Sequence, residues 1–157
     1  MVEKVRAGGK SGCHCTAMRK ASRRITQLYD QALAPSGLKI TQRAILAQIG
    51  RSEPVAMGAL AEELVMDPGG LAHTLKPLVR DGLVRIDTDP QDRRNRSIRL
   101  TAAGKAALKQ SDALWEIANR SFERQFTGGQ AKALREAILL LISDGFVENF
   151  KAAVARG

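Results

Sequence analysis

The chain has 157 residues, in which 25 Lys and Arg outnumber 16 Asp and Glu, so its formal net charge is +9 at pH 7. This length suits one domain with a sizeable core. No apolar run approaches the roughly 18 residues that a membrane span needs, no signal-peptide segment is present, and Cys13 and Cys15 are too close in sequence for an unstrained disulfide. We therefore expect a cytoplasmic protein that does not contact a membrane.

The N-terminal third predicts a short arm followed by helices. Residues 1–12 are rich in Gly, Ser and Lys without periodicity, which is typical of a disordered basic arm. Apolar residues then recur at steps of three and four over 13–33, as on one face of a helix, and Pro35 ends the pattern. Two further helices are predicted over about 41–49 and 57–64.

The next helix has clear boundary signals. Asp67 is suited to cap its N-terminus and Pro68 to occupy the first helical position. Gly82 is a typical stop after a helix that reaches about Asp81. Pro77 lies within this span and removes one backbone hydrogen bond, so we expect a local kink or loosening there.

Beyond Gly82 the hydrophobic period changes to two, which is typical of strands. Segments 83–88 and 96–100 alternate and predict a hairpin, with the turn-rich loop 89–95 as its tip. A cluster of arginines without an intervening acid suggests a polyanionic partner, and a solvated basic loop is the alternative interpretation. The cluster consists of Arg93, Arg94, Arg96 and Arg99.

The C-terminal part predicts two long helices. Thr101 caps the first, which extends to about Gln125. The segment Thr127-Gly128-Gly129-Gln130 fits a capping box that opens a last helix reaching about Ala153.

This order of elements predicts a mainly α fold with a small β-hairpin wing, that is, a winged helix-turn-helix joined to a helical dimerisation region. We expect the helices of 13–50 to be shared between the two parts, 51–100 to form the DNA-binding domain and 101–157 the dimerisation helices. The helix over about 68–80 has the shape to enter a major groove, where each base pair shows a distinct pattern. Arginines of the wing would reach the adjacent minor groove.

Three stretches of the chain resemble the MarR family of bacterial transcription regulators. The segment 89–94, Asp-Pro-Gln-Asp-Arg-Arg, resembles the family's wing signature D-P-x-D-R-R, and 100–104 is similar to its L-T-x-x-G. The third stretch is similar to a helix-turn-helix that ends in L-x-x-x-G-L-V, and consists of Leu60, Ala61, Leu71, Leu78, Gly82, Leu83 and Val84. Lys76-Pro77-Leu78 is similar to a subgroup that carries proline at this place. The resemblance covers nearly the whole chain and implies that the Asp92 carboxylate orients the Arg94 guanidinium for the minor groove.

The helix over about 68–80, here called the reading helix, departs from the family's pattern. Two glycines, an alanine and a histidine stand where many relatives carry hydroxyl residues and an arginine. We therefore expect weak readout of bases by this helix and a larger contribution from DNA shape read by the wing. His73 is interpreted as a phosphate or base contact rather than a metal ligand. The predicted DNA-binding residues are Gly69, Gly70, His73, Thr74, Lys76, Asp92, Arg93, Arg94 and Arg96.

Five of the six aromatic residues lie in the last third of the chain. A winged helix that reads a palindrome needs a two-fold axis, so we interpret these five as part of a homodimer interface. Filling the core of one monomer is the alternative. The residues are Trp115, Phe122, Phe126, Phe146 and Phe150.

The sequence offers two kinds of input for a regulator. Cys15-Thr16-Ala17-Met18 and Tyr29 resemble the organic-hydroperoxide-sensing branch of the family, which implies that Cys15 is a reactive thiol, and a helix N-terminus with Arg19 nearby favours its thiolate. That branch carries an aromatic residue where Arg19 stands, and inert cysteines are the alternative. Tyr29 lies roughly 21 Å along a straight helix from Cys15, so it could approach that thiol only from a partner subunit. The other input typical of the family is a small, often aromatic, anionic ligand held between the dimer helices and the winged domain.

No motif of an enzyme, a cofactor site or a metal site is recognised in the sequence. We therefore predict a repressor that binds a pseudo-palindromic double-stranded DNA operator as a homodimer and is released by a small ligand. Three alternatives stay open, namely a redox regulator that acts through Cys15, a nonspecific architectural DNA or RNA binder, and a protein–protein adaptor that uses the same winged fold.

Overall fold

Helices dominate the computed structural model, which describes residues 12–88 and 96–157. In chain order the elements are α1 His14–Leu33, a single 3-10 turn Ala34–Ser36, α2 Ile40–Ser52, β1 Val55–Ala56, α3 Met57–Glu63, α4 Pro68–Arg80, β2 Val84–Thr88, β3 Arg96–Leu100, α5 Ala102–Glu123, α6 Gln130–Leu141 and α7 Asp144–Val154. The predicted fold class, mainly α with a small β-hairpin wing, is confirmed. Residues 1–11 of the predicted arm and the wing tip with Asp92, Arg93 and Arg94 lie outside the described residues.

One apolar cluster holds the helix-turn-helix and the wing together. Helices α2 and α4 each present residues at steps of three and four to this cluster, and the strands present alternate residues. Its fully buried members are Ile45, Leu46, Ile49, Leu60, Leu71, Leu75, Leu78, Val84 and Ile98. Because α4 buries one face here, its opposite face is left to solvent.

The boundaries of α4 follow the predicted signals. The Asp67 carboxylate accepts a hydrogen bond from the backbone N–H of Gly70 at 2.8 Å, and Pro68 is the first helical residue. The helix continues through Pro77 to Arg80, so the proline does not divide it. Gly82 has a φ of +71°, a left-handed conformation that glycine adopts without steric cost.

The wing contains one strand more than predicted. The antiparallel sheet has the order β1-β3-β2, in which Ile98 of β3 is opposite both Val55 of β1 and Ile86 of β2. A strand of two residues is too short to show a period, so β1 is invisible in the sequence. By pairing with β3, strand β1 connects the end of α2 to the wing.

The C-terminal helices differ from the prediction at two places. Helix α5 is capped by Thr101 as predicted, whose hydroxyl accepts from the Gly104 N–H at 3.0 Å, but it ends at Glu123, so Phe126 lies beyond it. The prediction of a single last helix is wrong, because α6 ends at Leu141 and the Ser143 hydroxyl caps a separate α7.

The predicted capping box before α6 is half formed. Gln130 Oε1 accepts a hydrogen bond from the Thr127 N–H at 3.2 Å. The residue that immediately precedes the helix is Gly129, with a φ of +81°, and no side chain caps the helix from that position.

Candidate nucleic-acid interface

The solvent face of α4 carries a continuous polar stripe. Gly69, His73, Lys76 and Arg80 follow one another at steps of four, three and four, so they share one face of the helix. All four are exposed. Lys76 gives this face positive charge, whereas the charge of Arg80 is partly compensated by Asp81, whose Oδ1 lies 2.8 Å from Arg80 Nε. The glycine leaves the face flat at its N-terminal end.

Two other predicted DNA-binding residues lie on the flank of α4, where they contribute to the helix itself. The Thr74 hydroxyl donates a hydrogen bond to the Gly70 carbonyl oxygen at 2.9 Å. A Cβ at Gly70 would lie 2.7 Å from Asp67 Oδ2, so glycine at this position makes room for the capping carboxylate. The structure therefore brings Gly69, His73 and Lys76 together on one surface and leaves Gly70 and Thr74 half-buried beside it.

A cleft of about 530 Å³ separates the N-terminus of α2 from the polar stripe of α4. Sequence reasoning missed the α2 side of this cleft, which consists of Lys39, Thr41 and Gln42. Gln42 Oε1 accepts from the Lys39 N–H at 2.9 Å, and this local hydrogen bond fixes the start of α2. A helix N-terminus presents free N–H groups and a positive dipole end, which suit a phosphate. The lysine just before a helix start was the signal that could have found it.

The described part of the wing is also basic. Arg96, the predicted DNA-binding residue of β3, is exposed opposite Thr88. Arg85 and Arg99 are directly opposite each other on the two strands, an unfavourable arrangement for like charges. The Asp87 carboxylate lies 3.2 Å from the first and 3.8 Å from the second, which reduces their repulsion.

The five predicted interface aromatics fall into three groups. Trp115 packs within its own chain, because its ring lies 4.3 Å from the Arg43 guanidinium carbon. Phe122 and Phe126 contact each other at a ring distance of 5.0 Å, and Phe146 and Phe150 stack at 6.2 Å. Phe150 is 60% exposed, so its outer face is available to a partner.

The two cysteines are exposed at the start of α1. Cys13 is the residue that precedes the helix, and the backbone N–H and then the hydroxyl of Thr16 lower the pKa of its thiol. Cys15, the predicted redox residue, lies in the first turn. Tyr29 is engaged far along α1, where its hydroxyl donates to Asn119 Oδ1 at 2.7 Å.

Within 12–88 and 96–157, no helix is long and apolar enough to cross a membrane. The same part of the chain shows no group of three His, Cys, Asp or Glu side chains that could hold a metal ion.

The helix-turn-helix, the wing and the exposed basic face of α4 define a winged helix-turn-helix protein. A sequence model of the MarR family matches residues 36–95. The chain is similar to the M. tuberculosis transcriptional regulator MosR, solved in complex with DNA, with 34% identity, 92% of this chain and 98% of that chain covered, and a TM-score of 0.77.

Two further proteins are similar to this chain at lower sequence identity. The chain is similar to the transcriptional regulator HosA of Escherichia coli O111:H-, with 27% identity over 124 residues that cover 76% of this chain and 92% of that protein. A mutant of E. coli MarR complexed with operator DNA shares the fold, with 21% identity, 82% of this chain and 93% of that chain covered, and a TM-score of 0.74. This chain belongs to the MarR family of transcriptional regulators.

Proposed function

We propose that this chain binds double-stranded DNA sequence-specifically as a homodimer and represses transcription from a pseudo-palindromic operator. The observation that carries the proposal is the exposed stripe of His73, Lys76 and Arg80 on a helix whose other face is anchored in the core. A helix presented in this way fits a major groove. The relative MosR was solved with DNA, and MarR proteins are dimers.

The surface around α4 supports contacts to the DNA backbone on both sides of the groove. Lys39 and the N-terminus of α2 would meet phosphates on one side, and Arg96 with the wing arginines would follow the minor groove on the other. By the family resemblance, Arg94 at the wing tip enters that groove and Asp92 orients it. The stripe itself offers few groups that distinguish bases, so we propose that the wing contributes more of the sequence preference.

The affinity for DNA upstream of its own gene, compared with random DNA at two salt concentrations, tests the DNA-binding proposal. A regulator should prefer its operator by about 10³-fold or more, whereas an architectural binder should show a ratio near one. His73→Ala should weaken operator binding, and Lys109→Ala on α5 serves as a control away from the proposed interface. Affinity that is independent of salt would contradict DNA binding through phosphates.

The balance between helix and wing is testable on operator variants. Substitutions in the minor groove beneath the wing should cost more affinity than substitutions beneath α4. Arg94→Ala should weaken binding and reduce the preference for a narrow minor groove. A larger cost beneath α4 would contradict this proposal.

We propose that a small aromatic or anionic ligand releases the operator. A cavity of about 630 Å³ lies among α1, α5 and α6, a size typical of ligand sites. Its wall is largely apolar with Tyr29, Phe122 and Leu139. Its charged lining residues are Lys132, Arg135 and Glu123, so the cations outnumber the one carboxylate. Benzoate is a suitable first probe. If Arg135→Ala still binds the operator but benzoate no longer releases it, the result would support this site.

The second candidate input is oxidation, and the exposed thiol of Cys13 with its lowered pKa favours it. A thiolate attacks the outer oxygen of an organic hydroperoxide and the O–O bond breaks, so the sulfur becomes a sulfenic acid. The leaving alkoxide takes up a proton from water to give the alcohol. Loss of operator binding after peroxide, with resistance in Cys15→Ser, would assign the sensor to Cys15 as the resemblance implies. Resistance only in Cys13→Ser would assign it to Cys13, and no peroxide effect would leave the ligand as the input.

A further inference from the structure

Helices α2 and α5 are joined by a buried arginine. Among the described residues, the buried polar or charged ones are Arg43 and Ser111, and both lie at this contact. Arg43 Nε donates to Ser111 Oγ at 3.1 Å, and Arg43 Nη2 lies 2.7 Å from Asp112 Oδ1. The guanidinium also lies over the Trp115 ring. One side chain of α2 therefore engages three neighbouring side chains of α5.

This contact of Arg43 with Ser111, Asp112 and Trp115, called the Arg43 joint below, is not the simplest way to hold two helices together. Burying a guanidinium costs desolvation, and apolar residues of the same volume often hold such a contact equally well or better. What the planar guanidinium adds is direction, because its donors must meet a hydroxyl and a carboxylate at fixed angles while its face lies on a ring. Rotation or sliding of α2 along α5 would break at least one of these contacts.

The Arg43 joint is one of several places where the winged part meets α5, since Lys105 Nζ lies 2.6 Å from Glu53 Oε1 and Leu108 packs against the buried core. At the start of α5, the Thr101 hydroxyl donates to the Gly82 carbonyl oxygen at 2.6 Å and the Thr101 N–H donates to the Leu83 carbonyl oxygen at 3.1 Å. Ser111 lies seven residues after Gly104, about 10 Å along the helix. Contacts spread over this length fix the orientation of the winged part on α5, and the Arg43 contact adds a strongly directional one at its far end.

The orientation of α2 determines that of the reading helix. Ile45 and Ile49 of α2 share the buried core with Leu75 and Leu78 of α4, so the two helices move together. Helix α5 runs from the wing to the region that also contains α1, where Tyr29 meets Asn119. The reading helix, α4, is thus connected through α2 and α5 to the helices proposed to form the dimer, and Arg43 lies at the contact between α2 and α5.

We propose that Arg43 is a positioning residue that sets the separation of the two reading helices and so the half-site spacing that the protein prefers. This inference rests on the proposed function, because it requires a dimer on a two-part operator. Half-sites of such dimers lie about one helical turn apart, and each inserted base pair both lengthens and rotates the gap.

The test measures a ratio of affinities rather than an affinity. Binding is determined on the operator and on versions in which the gap between half-sites is one base pair shorter or longer. Partial unfolding lowers the active fraction and weakens all three complexes by the same factor, so it leaves the ratios unchanged. Arg43→Lys keeps the charge and loses the planar guanidinium, and Asp112→Asn keeps the shape and loses the charge. Arg51→Lys, at an exposed position of the same helix, is the matched control.

We expect Arg43→Lys to reduce the preference for the natural spacing by about fivefold or more, the lower end of coupling between sites, and Asp112→Asn to reduce it in the same direction. The control should keep the ratio of the unmodified protein. If Arg43→Lys does not fold, Asp112→Asn decides. Specific operator binding with unchanged ratios in the folded variants overturns this inference alone, whereas an unmodified protein without operator preference overturns the proposed function and this inference with it.

Discussion

Gly104 lies where the wing passes into α5, and its missing side chain allows the two to touch. A Cβ at this position would lie 2.0 Å from the carbonyl oxygen of Leu83, a distance that atoms cannot adopt. That same oxygen accepts the Thr101 N–H at 3.1 Å, so it cannot move without loss of a hydrogen bond. The steric clash that any Cβ would make therefore explains the glycine of the L-T-x-x-G motif in this chain.

We expect Gly104→Ala to lower the free energy of unfolding by about 1–3 kcal/mol or more, as for overpacked sites. Gly58→Ala makes the same chemical change at an exposed position of α3 with no atom within 4 Å. This control should stabilise the protein by up to about 1 kcal/mol, because alanine favours helix. Urea denaturation measures both, and equal effects of the two substitutions would contradict the steric argument.

Glu53 connects the end of α2 to both the wing and α5. Its Oε1 lies 2.6 Å from Lys105 Nζ, and its Oε2 accepts the Leu100 N–H at 2.8 Å. The Lys105 ammonium and then this N–H lower the pKa of Glu53 below its ordinary value. A carboxyl with a lowered pKa stabilises the fold at pH values above its ordinary pKa, and the stabilisation disappears as the pH falls through the native pKa.

Glu53→Gln should therefore lower the free energy of unfolding at pH 7 by about 1–3 kcal/mol, as for hydrogen bonds to charged groups. The difference from the unmodified protein should shrink as the pH falls below 4.5, the ordinary carboxyl value. Glu62→Gln, on the exposed surface of α3, is the control for the loss of one negative charge. A difference that stays constant between pH 7 and pH 3 would contradict the ionic role of Glu53.

Lys76 is the central cation of the α4 stripe. An ammonium contributes to DNA binding through phosphates, with little information about sequence. Lys76→Ala should weaken binding by a similar factor on operator and random DNA and reduce the slope of log affinity against log salt by about one. Lys109→Ala should change neither quantity. A loss confined to the operator would show that Lys76 reads a base instead.

The elements whose boundaries depend on local signals were predicted well, and those that depend on distant packing were not. Asp67 and Thr101 cap α4 and α5 as predicted, because an N-cap acts within three residues. The break at Ser143 was missed because the apolar period continues through Leu141 and Ile142, which made two helices look like one. Strand β1 exists only because β3 pairs with it.

The residues of the candidate site also fall into those predicted from local spacing and those that depend on distant packing. His73 and Lys76 were identified because one helix places them at a regular step. The α2 side of the cleft and the contact between Arg43 and Trp115 were missed, since they bring together residues that lie more than thirty positions apart in the chain. A single sequence contains the apolar pattern that drives such packing but not the pairs that result.

The two C-terminal helices, α6 and α7, lack a core of their own. Neither helix has a buried residue, and Ile138, Leu139 and Phe150 are 50%, 52% and 60% exposed. Helices of 12 and 11 residues are marginal in water by themselves. A contiguous apolar surface of this kind is typical of an interface between subunits. We therefore expect the dimer proposed for DNA binding to stabilise the C-terminal helices as well.

Ile138→Asp tests this link, because an acid buried in an apolar interface without a partner is costly. We expect a monomer at micromolar concentration in sedimentation, reduced helical content by circular dichroism, and faster hydrogen exchange over 130–154, while α2 to α4 keep their protection. Ala59→Asp introduces the same acid at an exposed position of α3, outside the C-terminal helices, so it should remain dimeric. A monomeric Ile138→Asp variant whose C-terminal helices exchange as slowly as those of the dimer would show that α6 and α7 are stable without a partner, and a dimeric variant would place the interface elsewhere.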